Sequence, residues 1–570
     1  MKKYIYTIMI LICSISIVSC DDFLTTENKS SVTDKDHFST EAGFETLVNN
    51  AYEKLRGIYA TSSYTTFFQA GTDMYGDARL KINDELHEYE TLNPENSSMK
   101  TLYTNCYKGI RAAYAVSYYA ADANVSEALC KKRIDEARVI AVQFYYILVN
   151  TFGGVPLIKE YVSNIETGYP RATATDVYTY MIDELEDVIA AGALDASTAK
   201  KGGGRVSIEA AQALLAQTYL AAAWDLDKSE YFTKAAQAAD AVIAGRSLTT
   251  PFAELWKSDY NGDYSGDDNE EFLWDVEYDH ATASTPQGGG HCWSVFYTNY
   301  IGSGSDGGKG SKSAFIVTLH ALKCFEKGDV RYDATFMKEL PDLLNGVYSY
   351  WTFYKNGGNF IGTPIKRYYP AWYETADDIE AWRSIDPENR KDTWIIPMSE
   401  NTREPQDYTE GVITYEQMIG YNYGGSPCRK FDDSYTLKNI YSEKDDYRDI
   451  HIITLSEIYL VAAEAYLKAG NEQLALARLN EVRRRAGLAA AASIDIDAIL
   501  KERVCELFGQ GSRWFDLRRT KKLVEYNNLY NKRLEGRAQQ AIGQKLLRPI
   551  PQAAIDANDQ MSSADQNPGY

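Results

Sequence analysis

Between about residue 41 and residue 245 the chain repeats one pattern: apolar residues at helical spacing, interrupted at short intervals by glycine or proline. Ile208, Ala211, Leu215 and Tyr219 follow at steps of three, four and four, which puts them on one helix face. Alanine-rich runs such as SIEAAQALLAQTYLAAAW carry little side-chain bulk and permit close helix contacts. Gly153-Gly154 with Pro156, and Gly202 to Gly204, supply the stops. A helix paired to its neighbour by a short turn cannot bury its inner face alone. Successive pairs of this length suggest tetratricopeptide-like units that stack side by side, so a mainly α scaffold is expected.

The texture changes from about Pro251 to Ile450. Nineteen of the 39 glycines and seven of the nine tryptophans fall there, and strand-like pieces such as EFLWDVEY alternate with long loops. Loops laid over a rigid scaffold are where binding residues concentrate. Helices resume at His451: Ile452, Leu455, Tyr459, Ala462 and Tyr466 mark one face as far as Gly470. A second helix runs from Asn471 to Arg485 before Gly487, and a third from about Asp495 to Phe508. The ending has turn chemistry around Pro549, Pro551 and Pro568. The expected divisions are a leader over 1–19, a tether over 20–40, a helical scaffold over 41–250, a loop-rich binding region over 251–450, and C-terminal helices and tail over 451–570.

Lys2 and Lys3 precede an apolar run from Tyr4 to Val18, broken by Thr7, Ser14 and Ser16, which is the layout of a secretory signal. The run is too short and too poorly flanked to read as a spanning helix. Ser19 directly before Cys20 resembles the lipobox of bacterial lipoproteins, in which the leader is cut before the cysteine and the cysteine is lipidated. Asp21 and Asp22 then resemble the export signals of surface lipoproteins in the Bacteroidetes. The mature chain is expected to be anchored to the outer membrane by lipid on Cys20, facing the cell exterior, without spanning it.

The chain carries 59 basic against 80 acidic residues, a formal net charge of −21, which repels phosphate backbones and argues against a nucleic-acid role. Tyrosine is abundant at 44 residues, and its flat apolar face with a hydrogen-bonding tip suits wet binding surfaces. Beyond the leader and Cys20, the cysteines at 106, 130, 292, 324, 428 and 505 are far apart and form no C-x-x-C pair, so no zinc site is supported. Buried free thiols are the expected state, although an exported chain can form disulfides.

Several sharper motifs are weaker than they look. GSGSDG, Gly302 to Gly307, fits a dinucleotide fingerprint by letter but lacks the strand, helix and βαβ unit around it, and GGKGSKS lacks P-loop spacing. In DYNGDYSGDDNE, Asp259, Asn261, Asp263, Ser265, Asp267 and Glu270 fall at the ligand positions of a calcium loop, with Tyr264 where the turn wants glycine. A solvated acidic loop is the plainer reading, and calcium is the only cofactor that this sequence brings into question. Glu502 and Glu506 share a helix face, and Asp183 to Asp187 cluster carboxylates; glycosidases need two carboxylates across a cleft. With Arg503, Arg513, Arg518 and Arg519 close in sequence, ion pairing is the better account. The six histidines give no H-E-x-x-H, and G-x-S-x-G is missing.

Seven fragments in the right order resemble the SusD/RagB family of surface nutrient-binding lipoproteins. They are CDDFL, DEARVIAVQFYYILVNTFGGVPLI (Asp135 to Ile158), GRVSIEAAQALLAQTYLAAA (Gly204 to Ala223), SEIYLVAAEAYLKAG, LNEVRRRAGL, ERVCELFGQGSRWFDLRRT and the ending RPIPQAAIDANDQMSSADQNPGY. One departure is Thr454-Leu455-Ser456-Glu457, where the family often has an arginine. The resemblance implies four tetratricopeptide-like helix pairs, an irregular ligand-binding half with short strands, and no catalysis. It also implies capture of an oligo- or polysaccharide and its delivery to a SusC-like TonB-dependent outer-membrane transporter. A peptide or glycopeptide binder in the same role, a surface glycosidase and a purely structural subunit of the transporter are the alternatives. The family's sugar sites stack aromatic faces on sugar rings and reach hydroxyls with Asp, Asn, Arg and Lys. By that chemistry the candidates are Tyr64, Phe67, Asp73, Tyr75 and Arg79 in one segment, and Trp293, Tyr297, Asn299 and Tyr300 in a second. Trp351 and Tyr354 are third, while Trp274 and Trp514 are assigned to the core. Core packing is the competing reading for every one of these aromatics.

Overall fold

The computed structural model describes residues 34–60, 67–77, 84–163, 166–197, 204–280, 290–291, 293–296, 309, 315–341, 347–396, 426–436, 446–511 and 513–570. Eight long helices form the scaffold: α1 Glu41–Tyr59, α2 Ser97–Ala120, α3 Glu127–Phe152, α4 Ala174–Ala191, α5 Ile208–Asp225, α6 Ser229–Ile243, α7 Leu455–Lys468 and α8 Glu472–Arg485. Each packs on the next, α6 on α7 included, so the array runs on across a chain gap of more than two hundred residues. It reads as four successive helix pairs, the stacking expected of tetratricopeptide-like units.

Local chemistry sets the helix ends. Thr40 accepts from the Gly43 N–H at the start of α1, and Thr173 and Asp176 form a reciprocal capping box at the start of α4. On α1 the buried face is Phe44, Leu47, Val48, Ala51, Leu55 and Ile58, the apolar stripe of an amphipathic helix. By contrast, α5 is buried nearly all round, which its alanines make possible. Gly153 ends α3 at φ 72°, a conformation that a residue with a Cβ rarely adopts. The carbonyl of Phe152 beside it accepts from Asn567 Nδ2 at 2.9 Å and Arg171 Nη2 at 3.1 Å. The Gln-Asn-Pro-Gly-Tyr ending is thus a cap for a helix four hundred residues earlier. Arg548 of the same tail is fully buried and donates to Ala70 O at 3.1 Å, with its guanidinium 4.6 Å over the ring of Trp514.

The strands are few. β1 Tyr75–Asp77 pairs antiparallel with β3 Phe315–Val317, and β2 Phe272–Val276 pairs antiparallel with β7 Ile450–Thr454. β4 Glu339–Pro341, β5 Ile365–Tyr368 and β6 Trp394–Ile395 make a three-stranded sheet. That sheet carries a second small core around Leu340, Tyr350, Trp351, Tyr368 and Trp382, separate from the large one on the helices. Trp274 and Trp514 are both fully buried in the large core. The ribbon β2/β7 lies on α1 and α5 and ties the loop-rich region to the scaffold.

His87 lies in that core with only 2% of its surface exposed, 5.3 Å from the ring of Phe315. Burial, with Arg533 and Arg548 nearby, pushes its pKa down to about 3. The fold therefore holds it neutral while the unfolded chain takes a proton near pH 6.5, so its stability contribution is full above pH 6.5 and is lost as pH falls toward 3. Acidification to pH 5 should cost about 2 kcal/mol through this residue. In urea titrations that slope is expected to flatten in His87→Leu; an unchanged slope would contradict the assignment.

Candidate functional site

Parts of the two main candidate segments lie among the described residues, 67–77 of the first and 293–296 of the second. β1 runs antiparallel to β3 with Asp77 opposite Phe315, so the chain leaves β1 at the same ribbon end where it enters β3. Trp293 Nε1 donates to Tyr59 O at 2.8 Å, which ties residue 293 to the last turn of α1. Tyr64, Arg79, Tyr297, Asn299 and Tyr300 lie outside the described residues, as do Cys20 and the Gly-Ser run from Gly302 to Gly307.

The other candidates are placed differently from expectation. Asp73 is fully buried in a two-armed ion pair with Arg513, at 2.8 Å from Nε and 2.7 Å from Nη2. Burial works against its charge, but the Arg513 guanidinium, and then His320, hold it well below the usual carboxylate range. Tyr75 has no exposed surface and meets Phe315 and Phe508 edge-on at 5.8 and 5.6 Å. Phe67, Trp293 and Trp351 are at most 4% exposed. A ring needs an open face to stack on a sugar, so these aromatics are corrected from ligand contacts to packing residues, and Asp73 to a buried ion-pair partner. Tyr354 is half-buried and donates its hydroxyl to Asp432. Among the described residues the most exposed aromatics are others: Tyr118, Trp372 and Trp394, at 51%, 45% and 43%.

The calcium spacing is also corrected. Asp259 Oδ1 accepts from the Asn261 N–H at 2.7 Å, and Asp263 Oδ1 from the Ser265 N–H at 3.0 Å, so these carboxylates shape turns. Asp267 points inward and binds Arg448, with Nε 3.1 Å from Oδ1. Among the described residues no group of three or more His, Cys, Asp or Glu is placed to hold a metal ion. Glu502 and Glu506 are buried among arginines, as ion pairing requires. The five described cysteines, at 106, 130, 324, 428 and 505, are free thiols.

A polar groove of about 800 Å³ lies where α1, Gly204-Arg205 and β2 meet. Asn49, Asn50, Glu53 and Arg56 line it from the face of α1 opposite the buried stripe, and Asp275 and Glu277 from alternate positions of the β2 segment. The sequence carried a signal for these residues in the helical spacing of 49, 53 and 56 and in the alternation within LWDVEY. Arg205 fixes one side, reaching Glu45 at 3.0 Å, Glu136 at 3.1 Å and Asn49 Oδ1 at 3.1 Å. Arg56 fixes the other: it donates to Glu277 O at 2.7 Å and lies 4.5 Å over the ring of Tyr278. Burial, with Asp275 and Asp268 nearby, pushes the Glu277 carboxyl up, against the Gly204 N–H that it accepts. Asp275 is held by His451 Nδ1 at 2.6 Å. The result is a preformed wall of amide, carboxylate and guanidinium groups with a tyrosine ring at one end, able to hydrogen-bond a string of hydroxyls. Its two strand carboxylates are already committed to protein partners, which does not suit a free acid–base pair.

Residues 270–570 match the SusD family, and residues 22–220 match a family described as "Starch-binding associating with outer membrane". A SusD-like protein of Bacteroides ovatus is 24% identical over 422 residues, 69% of this chain and 60% of that protein's length. SusD-like protein P38 of Formosa agariphila is 22% identical over 563 residues, 92% of each chain. Among solved structures, a laminarin binding SusD-like protein superposes with a TM-score of 0.63 at 22% identity, covering 93% of this chain and all of that one. Surface glycan-binding protein A from Bacteroides thetaiotaomicron, in complex with laminarihexaose, gives 0.65 at 20% identity over 93% of this chain and 99% of its own. At such identities these structures establish the fold.

Proposed function

The chain belongs to the SusD family, and from that premise we propose that it is a non-catalytic, cell-surface glycan-binding protein that captures an oligosaccharide for an outer-membrane transporter of SusC type. Lipid on Cys20 would keep it at the membrane; no helix among the described residues is long and apolar enough to cross one. The observation that carries the reading is the open polar groove on α1, whose volume of about 800 Å³ lies within the usual small-ligand range of ~300–1,000 Å³. Its amides, carboxylates and arginines suit sugar hydroxyls, and relatives named for glycan and laminarin binding share the fold. Moderate affinity follows, because each exposed hydroxyl must be desolvated on binding.

Affinity electrophoresis of residues 21–570 through gels holding laminarin, starch and other plant, host and microbial polysaccharides tests this. Retardation by one polysaccharide, with no reducing sugar released, is the expected result. Release of reducing sugar would mean a glycosidase. Failure of every polysaccharide would move the ligand class to peptides.

A further inference from the structure

Deep in the large core, where α3, α5 and α7 meet α9 Ile496–Glu506 and the helix Arg513–Arg519, lies a cavity of about 60 Å³. Gln143, Tyr146, Gln217, Glu457, Arg503 and Asp516 give it polar walls. All of these but Tyr146 are at most 8% exposed. The cavity shares no lining residue with the groove on α1 and does not depend on what the groove binds.

The charged groups of the wall are paired with one another. Arg503 Nε lies 2.7 Å from Asp516 Oδ2, and its Nη2 lies 3.1 Å from Glu457 Oε1. Arg519 is shared between Asp516 at 3.0 Å and Glu464 at 2.7 Å. Other polar atoms are left over. Gln143 Nε2 donates to the Tyr59 hydroxyl at 2.6 Å, but neither Gln143 Oε1 nor Arg503 Nη1 has a partner among the described residues. Among those residues the Gln217 amide and the Tyr146 hydroxyl make no hydrogen bond either. Burial pushes the Tyr146 hydroxyl's pKa up, and Arg519, Glu457, Asp516 and Arg503 all act on it, so it stands among these charges without bonding to one. Several unpaired buried polar groups around one cavity are costly, and a guest that bonds to them removes that cost.

The mixture of groups decides the guest. It must donate to Gln143 Oε1 and accept from Arg503 Nη1, while the Gln217 amide and the Tyr146 hydroxyl offer both roles. An anion would face Glu457, Asp516 and Glu464, and a cation would face the N–H groups of Arg503. Water does both tasks. We propose that the cavity holds a cluster of about four ordered water molecules, at ~10–15 Å³ of such space for each, and that this cluster joins the two ends of the scaffold. Gln143, Tyr146 and Gln217 belong to α3 and α5, whereas Glu457, Arg503 and Asp516 belong to α7 and the helices after it. No direct side-chain hydrogen bond among the described residues runs from the first three to the last three, so the waters supply the polar contact at this point.

A high-resolution crystal structure of the native chain tests the proposal. About four oxygen-sized peaks are expected in the cavity, ~2.7–3.2 Å from Gln217, Tyr146, Gln143 Oε1 or Arg503 Nη1. Oxygen-17 relaxation dispersion then compares the native chain with Gln217→Leu, which keeps the bulk of the side chain and removes its amide. The variant should hold fewer long-lived waters, by about one or more. A cavity without density would overturn the proposal, and so would Gln217 or Tyr146 bonding directly to the charged groups. A single peak contacted by oxygen atoms alone would mean a cation instead, and Gln217→Leu keeping every long-lived water would place the waters elsewhere.

Discussion

Arg331→Met should destabilise the protein by about 3–5 kcal/mol, because it removes a cation that touches all three carboxylates of a buried cluster. Arg331 is 1% exposed and grips Asp329 with two arms, at 2.9 and 2.8 Å, while its Nη1 stands 2.7 Å from Glu502 and 3.1 Å from Glu506. Arg483 and Arg485 meet the last two carboxylates from the other side. Without Arg331, the Asp329 side chain keeps only a backbone N–H, and Glu506 loses one of the charges that hold its pKa down against burial. Arg331→Lys should rescue little, since a point charge cannot reproduce the two-armed contact. The loss would be read from the midpoint of urea unfolding. A change under 1 kcal/mol would mean that the cluster is not the bridge between the loop-rich region and α9 that the contacts describe.

Asp267→Asn should cost a similar ~3 kcal/mol or more, and calcium should not restore it. Asp267 is the buried partner of Arg448, which is itself only 6% exposed, and it also accepts the Asp449 N–H at 3.2 Å. The isosteric amide keeps the shape and removes the charge, so Arg448 stays buried with no ion-pair partner at hydrogen-bond distance. If the segment from Asp259 to Glu270 were instead a cation loop, added Ca²⁺ would raise the unfolding midpoint of the native chain and Asp267→Asn would abolish that rise. That pattern would contradict the placement of Asp267.

The scaffold was readable in the sequence because helical periodicity is local. The spacing of Ile208, Ala211, Leu215 and Tyr219, and the glycine stops, mark helices without reference to anything distant. The same holds for Trp274 and Trp514, whose apolar neighbours announced burial. The aromatic candidates were not readable in this way. Tyr75 and Trp293 sit in segments with the polar, turn-rich look of binding loops, yet each is sealed by residues more than a hundred positions away: Phe315 and Phe508 for the first, Phe431 and Arg448 around His291 for the second. Burial of that kind is decided by tertiary contacts that no window of sequence contains. Asp73 is the sharper case. Its carboxylate suggested a contact to sugar hydroxyls, and its partner in space is Arg513, 440 positions on. The groove was half legible, since the polar face of α1 can be counted off, but its opposing wall depends on how β2 docks.

The most direct test of the groove assignment is a calorimetric titration of the native chain and of Arg56→Ala with an oligosaccharide cut from whichever polysaccharide retards the protein. Arg56 joins the two walls through Glu277 O and the Tyr278 ring, so its removal should weaken binding by about tenfold or more while the circular dichroism stays unchanged. Equal affinity in the two proteins would contradict the account and place the glycan elsewhere.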